Sequence, residues 1–318
     1  MSQSFPGYVE VDYDDGRDEG PEDYPAMEEK LGKAVEVTRL ALEQYENPAV
    51  MWTGGKDSTL VLYVLLEVCA EFDHELPPVV FIDHYEHFPE TLAFADQWAE
   101  RLDLDLRYAR NEDFERLGVD PGDEVPVADL NERNRRELRE KLEYDEKVLK
   151  FTADSYEGNH LLKTVALNEI VEREGFDGIF SGVRWDEQDA RANETFFSPR
   201  HDSEKYPPHD RIHPILQFDE RAVWDAFWRF VVPDLVEGFP VGYVPESSED
   251  LPNDLVPEDL PVSPKYFEGF RSLGTQGGSG KSADHPAWLQ DLEGTTEREG
   301  RAQDKEGVMA RLRDLGYM

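Results

Sequence analysis

Short apolar runs alternate with longer helical patterns over the first two thirds of the chain. Ala49-Val50-Met51-Trp52 is continuous and apolar, and after a polar turn a helical apolar stretch runs from Leu60 to Ala70. Val79-Val80-Phe81-Ile82 reads as a second strand buried on both faces, ended by Asp83. A helix is predicted from Pro89 to Leu102, with proline at its start where the missing donor costs nothing. Leu104 to Tyr108 is a third strand. Upstream, Leu31, Val35, Leu40 and Leu42 share one side of a helix from about Met27 to Tyr45. Downstream come a charged helical stretch over about Leu130 to Lys150, a helix Leu161 to Glu174 and a strand Gly178 to Ser181. A helix Asp219 to Phe230 then carries Val223, Trp224, Phe227 and Trp228. This alternation predicts an α/β fold: a parallel twisted sheet with helices on both faces.

Four segments follow from the same reading. Residues 1–25 are acidic, rich in Gly, Pro and Tyr, and read as a mobile tail or draped arm. Residues 26–232 form the α/β domain, and 233–265 a proline- and acid-rich connection. Residues 266–318 are an irregular C-terminal arm with a glycine loop and a terminal helix near Lys305 to Leu315. In an open parallel sheet the ligand sits beyond the carboxyl ends of the strands. Thr53–Ser58, Asp83–Thr91 and Ser181–Arg191 all lie at such ends and are expected to converge.

Thr53-Gly54-Gly55-Lys56-Asp57-Ser58 joins the first strand to its helix. A glycine turn there aims free backbone N–H groups and the positive helix end at one point, which suits phosphate. Lys56 adds a mobile cation, and Thr53 and Ser58 add hydroxyls. A nucleoside triphosphate or its pyrophosphate is the expected ligand. After the second strand, backbone groups near Asp83 are placed to read an adenine edge, with Tyr85 or Phe88 covering its face. His84 and His87 are the alternative there as metal ligands, against which stands the lack of a matched third ligand. Arg184 and Arg191 follow the strand ending at Ser181, and arginine grips an oxyanion through paired hydrogen bonds. Asp186, Glu187 and Asp189 are placed to hold those guanidinium groups or to help bind magnesium. Gly277-Gly278-Ser279-Gly280-Lys281-Ser282 imitates a Walker A loop, but Thr275 stands where its first glycine belongs. Lys281 is retained as a substrate-binding cation on a flexible loop.

Composition narrows the partners. Asp and Glu number 71 against 33 Lys and Arg, a net charge of −38. Such a surface repels nucleic acid and anionic membranes, and stays dispersed where salt screens it. A halophilic, salty cytoplasm is the expected setting. Cys69 is the single cysteine, so an intrachain disulfide is excluded. Glu67 interrupts the best candidate membrane span, and the start of the chain lacks a basic signal-peptide region. A cytoplasmic location is expected.

The Thr53–Ser58 turn resembles the PP-loop of ATP pyrophosphatases, with Thr53 in place of the usual serine. The resemblance widens with Phe81-Ile82-Asp83, Lys163-Thr164-Val165-Ala166-Leu167, Gly175-Phe176-Asp177, Gly182 to Arg191 and Arg211-Ile212-His213-Pro214-Ile215. With the Trp224 helix, Thr296-Glu297-Arg298-Glu299-Gly300-Arg301, Asp304 and Gly316-Tyr317, these look like the small subunit of sulfate adenylyltransferase, over about residues 27–318 and more loosely over 233–265. Related phosphoadenylyl-sulfate reductases share the PP-loop and Phe88-Pro89-Glu90-Thr91, but need a C-terminal cysteine nucleophile that this chain lacks. Where the adenylyltransferase pattern often reads Leu-Gly-Cys, Leu273-Gly274-Thr275 stands.

The resemblance implies that ATP is split between its α and β phosphates, with sulfate as acceptor. Pyrophosphate is then assigned to the backbone of Gly54–Ser58 with Lys56 and the hydroxyls, and Mg2+ bridges phosphate oxygens near Asp57. Arg184 and Arg191 hold sulfate or the α-phosphate, with Asp186 and Lys281 beside the substrate. A GTP-hydrolysing large subunit is the implied partner in a heteromer. Two alternatives remain at this point: a PP-loop enzyme activating RNA or DNA for sulfur insertion, and a nucleotide-binding subunit without turnover. Lys56→Ala is expected to abolish pyrophosphate release with little effect on folding.

Overall fold

The computed structural model describes residues 4–188 and 191–297. Asp189, the terminal helix near Lys305 to Leu315, and the matches from Arg298 to Tyr317 lie outside the described residues.

The first strand, β1 (Pro48–Met51), is central because its residues are apolar on both sides. Ala49 and Met51 point to one face and Val50 and Trp52 to the other, in two separate clusters of buried residues. α1 (Met27–Gln44) precedes it, and α2 (Lys56–Phe72) follows. β2 (Val79–Ile82), α3 (Thr91–Arg101) and β3 (Leu106–Ala109) complete the first half. β6 (Gly178–Phe180), β7 (Phe197–Arg200) and β8 (His209–Ile212) complete the sheet, in the order β3-β2-β1-β6-β8-β7. Five strands run parallel, with Val50 beside Val79 and Ala49 beside Ile179. Edge strand β7 pairs antiparallel with β8, so the sheet is mixed rather than wholly parallel.

Helices cover both faces. α1 and α2 pack with Val50, Trp52 and Phe81 in the larger core. α7 (Ala166–Glu174) covers the other face through Leu167, Ile170 and Val171 against Ala49, Met51 and Val80. It continues a helical run from α6 (Tyr156–Asn159) through a π-type segment His160–Val165. α8 (Glu220–Ala226) closes the larger core with Val223 and Trp224, its first turn capped by Asp219, whose carboxylate accepts from Ala222 N at 2.8 Å.

The charged stretch over 130–150 is only partly helical. α5 (Glu132–Arg136) and a π-type turn to Lys141 are followed by strand β5 (Val148–Lys150), paired with β4 (Glu124–Pro126). Apolar Leu149 is buried in a satellite cluster with Phe114 and Phe151, which the charge pattern conceals. Residues 4–25 run along the sheet edge: Tyr8 and Tyr13 hydroxyls donate to Asp177 and Asp210, and Phe5 stacks on His201. β1 is the switch point, with β2 on one side and β6 on the other. The crevice at its carboxyl end is therefore where a ligand belongs.

Candidate active site

The turn after β1 is shaped by contact. Gly54 has φ +69°, and a Cβ there would lie 2.6 Å from the Phe94 ring. Gly55 is the N-cap of α2. Ser58 Oγ donates to Gly55 O at 3.1 Å and accepts from Thr53 N at 3.2 Å. The first-turn amides of a helix lack intrahelical partners, so those of Asp57 and Ser58, two residues that line the crevice, are available as donors. The Lys56 amide meets Tyr266 Oη at 3.3 Å, and Ser263 N donates to Gly54 O at 2.9 Å, so the start of the C-terminal region braces the turn.

A cavity of about 250 Å³ opens there. Of the expected site residues, Thr53, Gly55, Asp57, Ser58, Phe88 and Arg191 line it. Glu187, from the same span, holds Arg191 Nε at 3.3 Å. Lining residues not singled out as site residues include Asn159, Lys163, Thr275 and Glu297. Lys163 and Asn159 are four apart in the helical run from α6 to α7, so one helix face presents both. The signal for Lys163 was one cation in an otherwise apolar helical stretch at the site end of the sheet. Glu297 carried no signal beyond the resemblance.

Five expectations are corrected, for Lys56, Asp83, Tyr85, Lys281 and Arg184. Lys56 is not a mobile cation: its ammonium is buried, 2.7 Å from Glu297 Oε1, 3.1 Å from Asp57 Oδ2 and 4.0 Å from Glu220 Oε1. Asp83 does not line the cavity; its carboxylate turns to Arg110 at 2.9 Å and His87 at 3.3 Å. Tyr85 packs on Phe151 in the satellite cluster, its hydroxyl donating to Asn111 O at 3.0 Å. Lys281 is half exposed, pairs with Glu268 at 3.8 Å and does not line the cavity. Thr275 and Gly278 of that glycine loop do line it.

Arg184 lies beneath the turn rather than in the cavity. It donates to Asp57, to Asp186 at 2.8 Å and to Glu297 at 2.7 Å. Burial alone would lower the pKa of Lys56, but Asp57, Glu297 and Glu220 outweigh it and the result is raised. Arg184 is raised likewise, by Asp57, Asp186 and Glu297 against burial. Both side chains are therefore fixed cations. Asp186 also accepts from Glu220 N at 2.8 Å, and Glu220 Oε2 accepts from Arg271 Nη2 at 2.7 Å. His84 lines the cavity and is held well below its ordinary pKa, first by burial and then by Lys163, so it is neutral at pH 7. Its ring lies tilted against that of His87, centroids 3.8 Å apart, and His87 Nε2 accepts from His84 N at 3.3 Å, an arrangement unlike converging metal ligands. Among the described residues no group of three or more His, Cys, Asp or Glu is placed to hold a metal.

The switch-point crevice, the glycine turn and the helix amides together define a nucleotide-binding α/β protein of PP-loop type. Residues 47–125 and 126–234 match the phosphoadenosine phosphosulfate reductase domain, and the chain belongs to that family. Among curated relatives, sulfate adenylyltransferase subunit 2 1 of Marinobacter nauticus is 24% identical and aligns over 90% of this chain and 94% of its own. Sulfate adenylyltransferase subunit 2 of Rhizobium sp. strain BR816 is 28% identical over 76% and 68%. Among solved structures, Candida glabrata FMN adenylyltransferase superposes with TM-score 0.52 at 14% identity, covering 90% of this chain and 94% of that one. Yeast FAD synthetase in complex with FAD gives 0.50 at 14%, over 87% and 91%. These two likenesses support the fold alone.

Proposed function

We propose that this protein is a nucleotidyltransferase that passes the adenylyl group of ATP to sulfate, releasing pyrophosphate. A sulfate oxygen attacks the α-phosphorus, and the bond to the bridging oxygen of the β-phosphate breaks with its electron pair leaving on pyrophosphate. Sulfate is fully ionised at neutral pH, so no general base is required. Catalysis rests on alignment and charge. The observation that carries the reading is one cavity lined by Asp57 and Ser58 of α2 together with Arg191 and Lys163.

In this reading the α2 amides, with the Thr53 and Ser58 hydroxyls, receive the departing diphosphate. Arg191, steadied by Glu187, and Lys163 hold the acceptor oxyanion. Ile82, Phe88 and Phe94 offer an apolar wall for the adenine. Lys56, Arg184 and Asp186 position the turn from below. The expectation of Asp57 as a Mg2+ ligand does not fit its surroundings, since one carboxylate oxygen meets Lys56 and the other Arg184; a Mg2+ ion would be held chiefly by substrate phosphates. It would offset the charge of the leaving group. Reduction is disfavoured on chemical grounds. Cys69 is buried on α2, away from the cavity, and burial pushes its thiol up to about 11, whereas the nucleophile must be a thiolate.

The relatives' name, subunit 2, supports a heteromer with a large subunit, which the resemblance makes a GTPase. The test is pyrophosphate release from ATP at high salt, with and without sulfate and with and without that partner. Release that requires sulfate is the expected result. Release unaffected by sulfate in the presence of the partner, or dependent on RNA instead, would sink the assignment.

A further inference from the structure

Lys56 and Arg184 are bridged by one carboxylate from the far end of the chain. Glu297 Oε1 lies 2.7 Å from Lys56 Nζ, and its Oε2 lies 2.7 Å from Arg184 Nη2. Both cationic side chains are 1% exposed, and neither lines the cavity, whereas Glu297 does. The arm's carboxylate therefore lies between two fixed cations and the space where polyanions are expected. A carboxylate spanning an ammonium and a guanidinium also has the shape of two oxygens of a tetrahedral oxyanion in the same position.

Among the described residues, the charges under the turn do not balance. Lys56, Arg184 and Arg271 are the cations; Asp57, Asp186, Glu220 and Glu297 are the carboxylates that contact them. Three cations thus face four anions, and without Glu297 the count is three against three. The excess is felt by Glu220, whose pKa is raised, by burial first and with Glu297 adding to it. Its Oε1 is buried without a hydrogen-bond partner. The arm is anchored just before Glu297, where Arg271 donates to Thr295 Oγ1, to Thr295 O at 3.1 Å and to Leu292 O at 3.1 Å. Among the described residues, Thr296 and Glu297 are the two that lie beyond this anchor.

We propose that Lys56 and Arg184 form an oxyanion seat that Glu297 fills in the free protein and yields to a tetrahedral oxyanion, a phosphate of pyrophosphate or sulfate itself. This rests on the reading of the cavity as an ATP and sulfate site. A competitor within the chain lowers apparent affinity by the fraction of time the seat is closed. Calorimetric titration of pyrophosphate and of sulfate, separately, into wild type, Glu297→Ala and Glu297→Gln at one fixed high salt reads this directly. The expected result is binding of one anion about 10-fold tighter in the variants. Tightening of pyrophosphate places the seat under the leaving group, and tightening of sulfate places it under the acceptor. Unchanged or weaker binding of both anions, in a variant that melts within a few degrees of wild type, overturns the seat. A measurement on wild type alone covers the case of a misfolded variant. Backbone hydrogen exchange over 291–297 should speed up when the tightening anion saturates the protein; slower or equal exchange makes Glu297 a brace and overturns the proposal. If neither wild type nor variants bind ATP, pyrophosphate or sulfate, the functional reading falls together with the seat. If wild type binds them and only the tightening is missing, the seat alone falls.

Discussion

Gly182→Ala tests whether the turn after β1 owes its function to close contact with the end of β6. A Cβ at Gly182 would lie 2.9 Å from the Asp57 carbonyl carbon, 2.9 Å from Ser58 N and 3.0 Å from Asp57 Cβ. Carbon contacts relax near ~3.5–4.0 Å, so the first turn of α2 must retreat by roughly 0.5–1 Å. It has little room to do so, since Leu60, Val61, Leu62 and Leu65 behind it are fully packed. Overpacking of this kind costs about 1–3 kcal/mol. The amides proposed to receive the diphosphate move by a comparable distance, and a ~1 Å misplacement reduces rate by about 100-fold. The assay is sulfate-dependent pyrophosphate release together with a melting curve. The expected variant melts a few degrees lower and loses about two orders of magnitude in kcat/KM. Gly32→Ala is the control, because a Cβ there meets nothing within 4 Å and its site is a helix interior; it should be neutral to stabilising by up to about 1 kcal/mol with unchanged activity. A folded Gly182→Ala protein with wild-type kcat/KM would refute the claim that these amides carry the reaction.

Three further predictions concern ionisable side chains. Lys56→Ala leaves Asp57, Glu220 and Glu297 without one of their cations, so it should cost about 3–5 kcal/mol in urea unfolding; this revises the expectation of a harmless substitution, and an unshifted midpoint would contradict the geometry. Lys163→Ala should raise the KM for the acceptor anion by roughly 10-fold or more, the worth of a charge-assisted hydrogen bond, while direct ATP binding changes little; equal losses in both would place Lys163 elsewhere in the mechanism. His213 is pushed down to about 3, first by burial, and His84 and His209 are lowered well below their ordinary values for the same leading reason. These groups fold neutral, so the unfolded chain binds more protons below about pH 6.5. Stability should fall with pH from there toward about 3, by ~1.4 kcal/mol per unit for each histidine in that window. A melting temperature flat between pH 7 and 5 would contradict their burial.

The elements near the turn were legible because burial on both faces writes itself as an unbroken apolar run, as in β1 and β2. β8 was not, since His209, Asp210 and Arg211 occupy a buried strand. Their polarity is tolerated because Asp210 accepts from the Tyr13 and Tyr45 hydroxyls at 2.9 and 2.8 Å and meets His201 at 2.7 Å. Such compensation comes from distant residues and leaves no local trace. The same limit separates the amides of the turn from the cations beneath it. A strand, two glycines and a helix start announce a phosphate site within a few residues. That Lys56 is immobilised depends on Glu297, 241 positions away. Asp83 and Tyr85 were placed by their position at a strand end, which fixes the backbone but not the χ angles that turn one to Arg110 and the other to Phe151.

Charge is divided by depth in a way that composition alone conceals. The chain carries 33 basic residues against 71 acidic ones, yet Lys56, Arg184, Arg191 and Arg271 are all buried at or under one cavity. At high ionic strength, exposed charges more than a Debye length apart are screened, while buried pairs are screened far less. Raising salt should therefore calm the repulsion among the surface carboxylates and leave the carboxylate–cation network under the turn nearly untouched. It follows that salt acts on this protein chiefly through its shell. On the proposed seat, the affinity of the cavity for anions is governed instead by local competition between substrate oxygens and the Glu297 carboxylate. An acidic protein can handle a polyanionic nucleotide because its few cations are held where solvent ions do not compete for them.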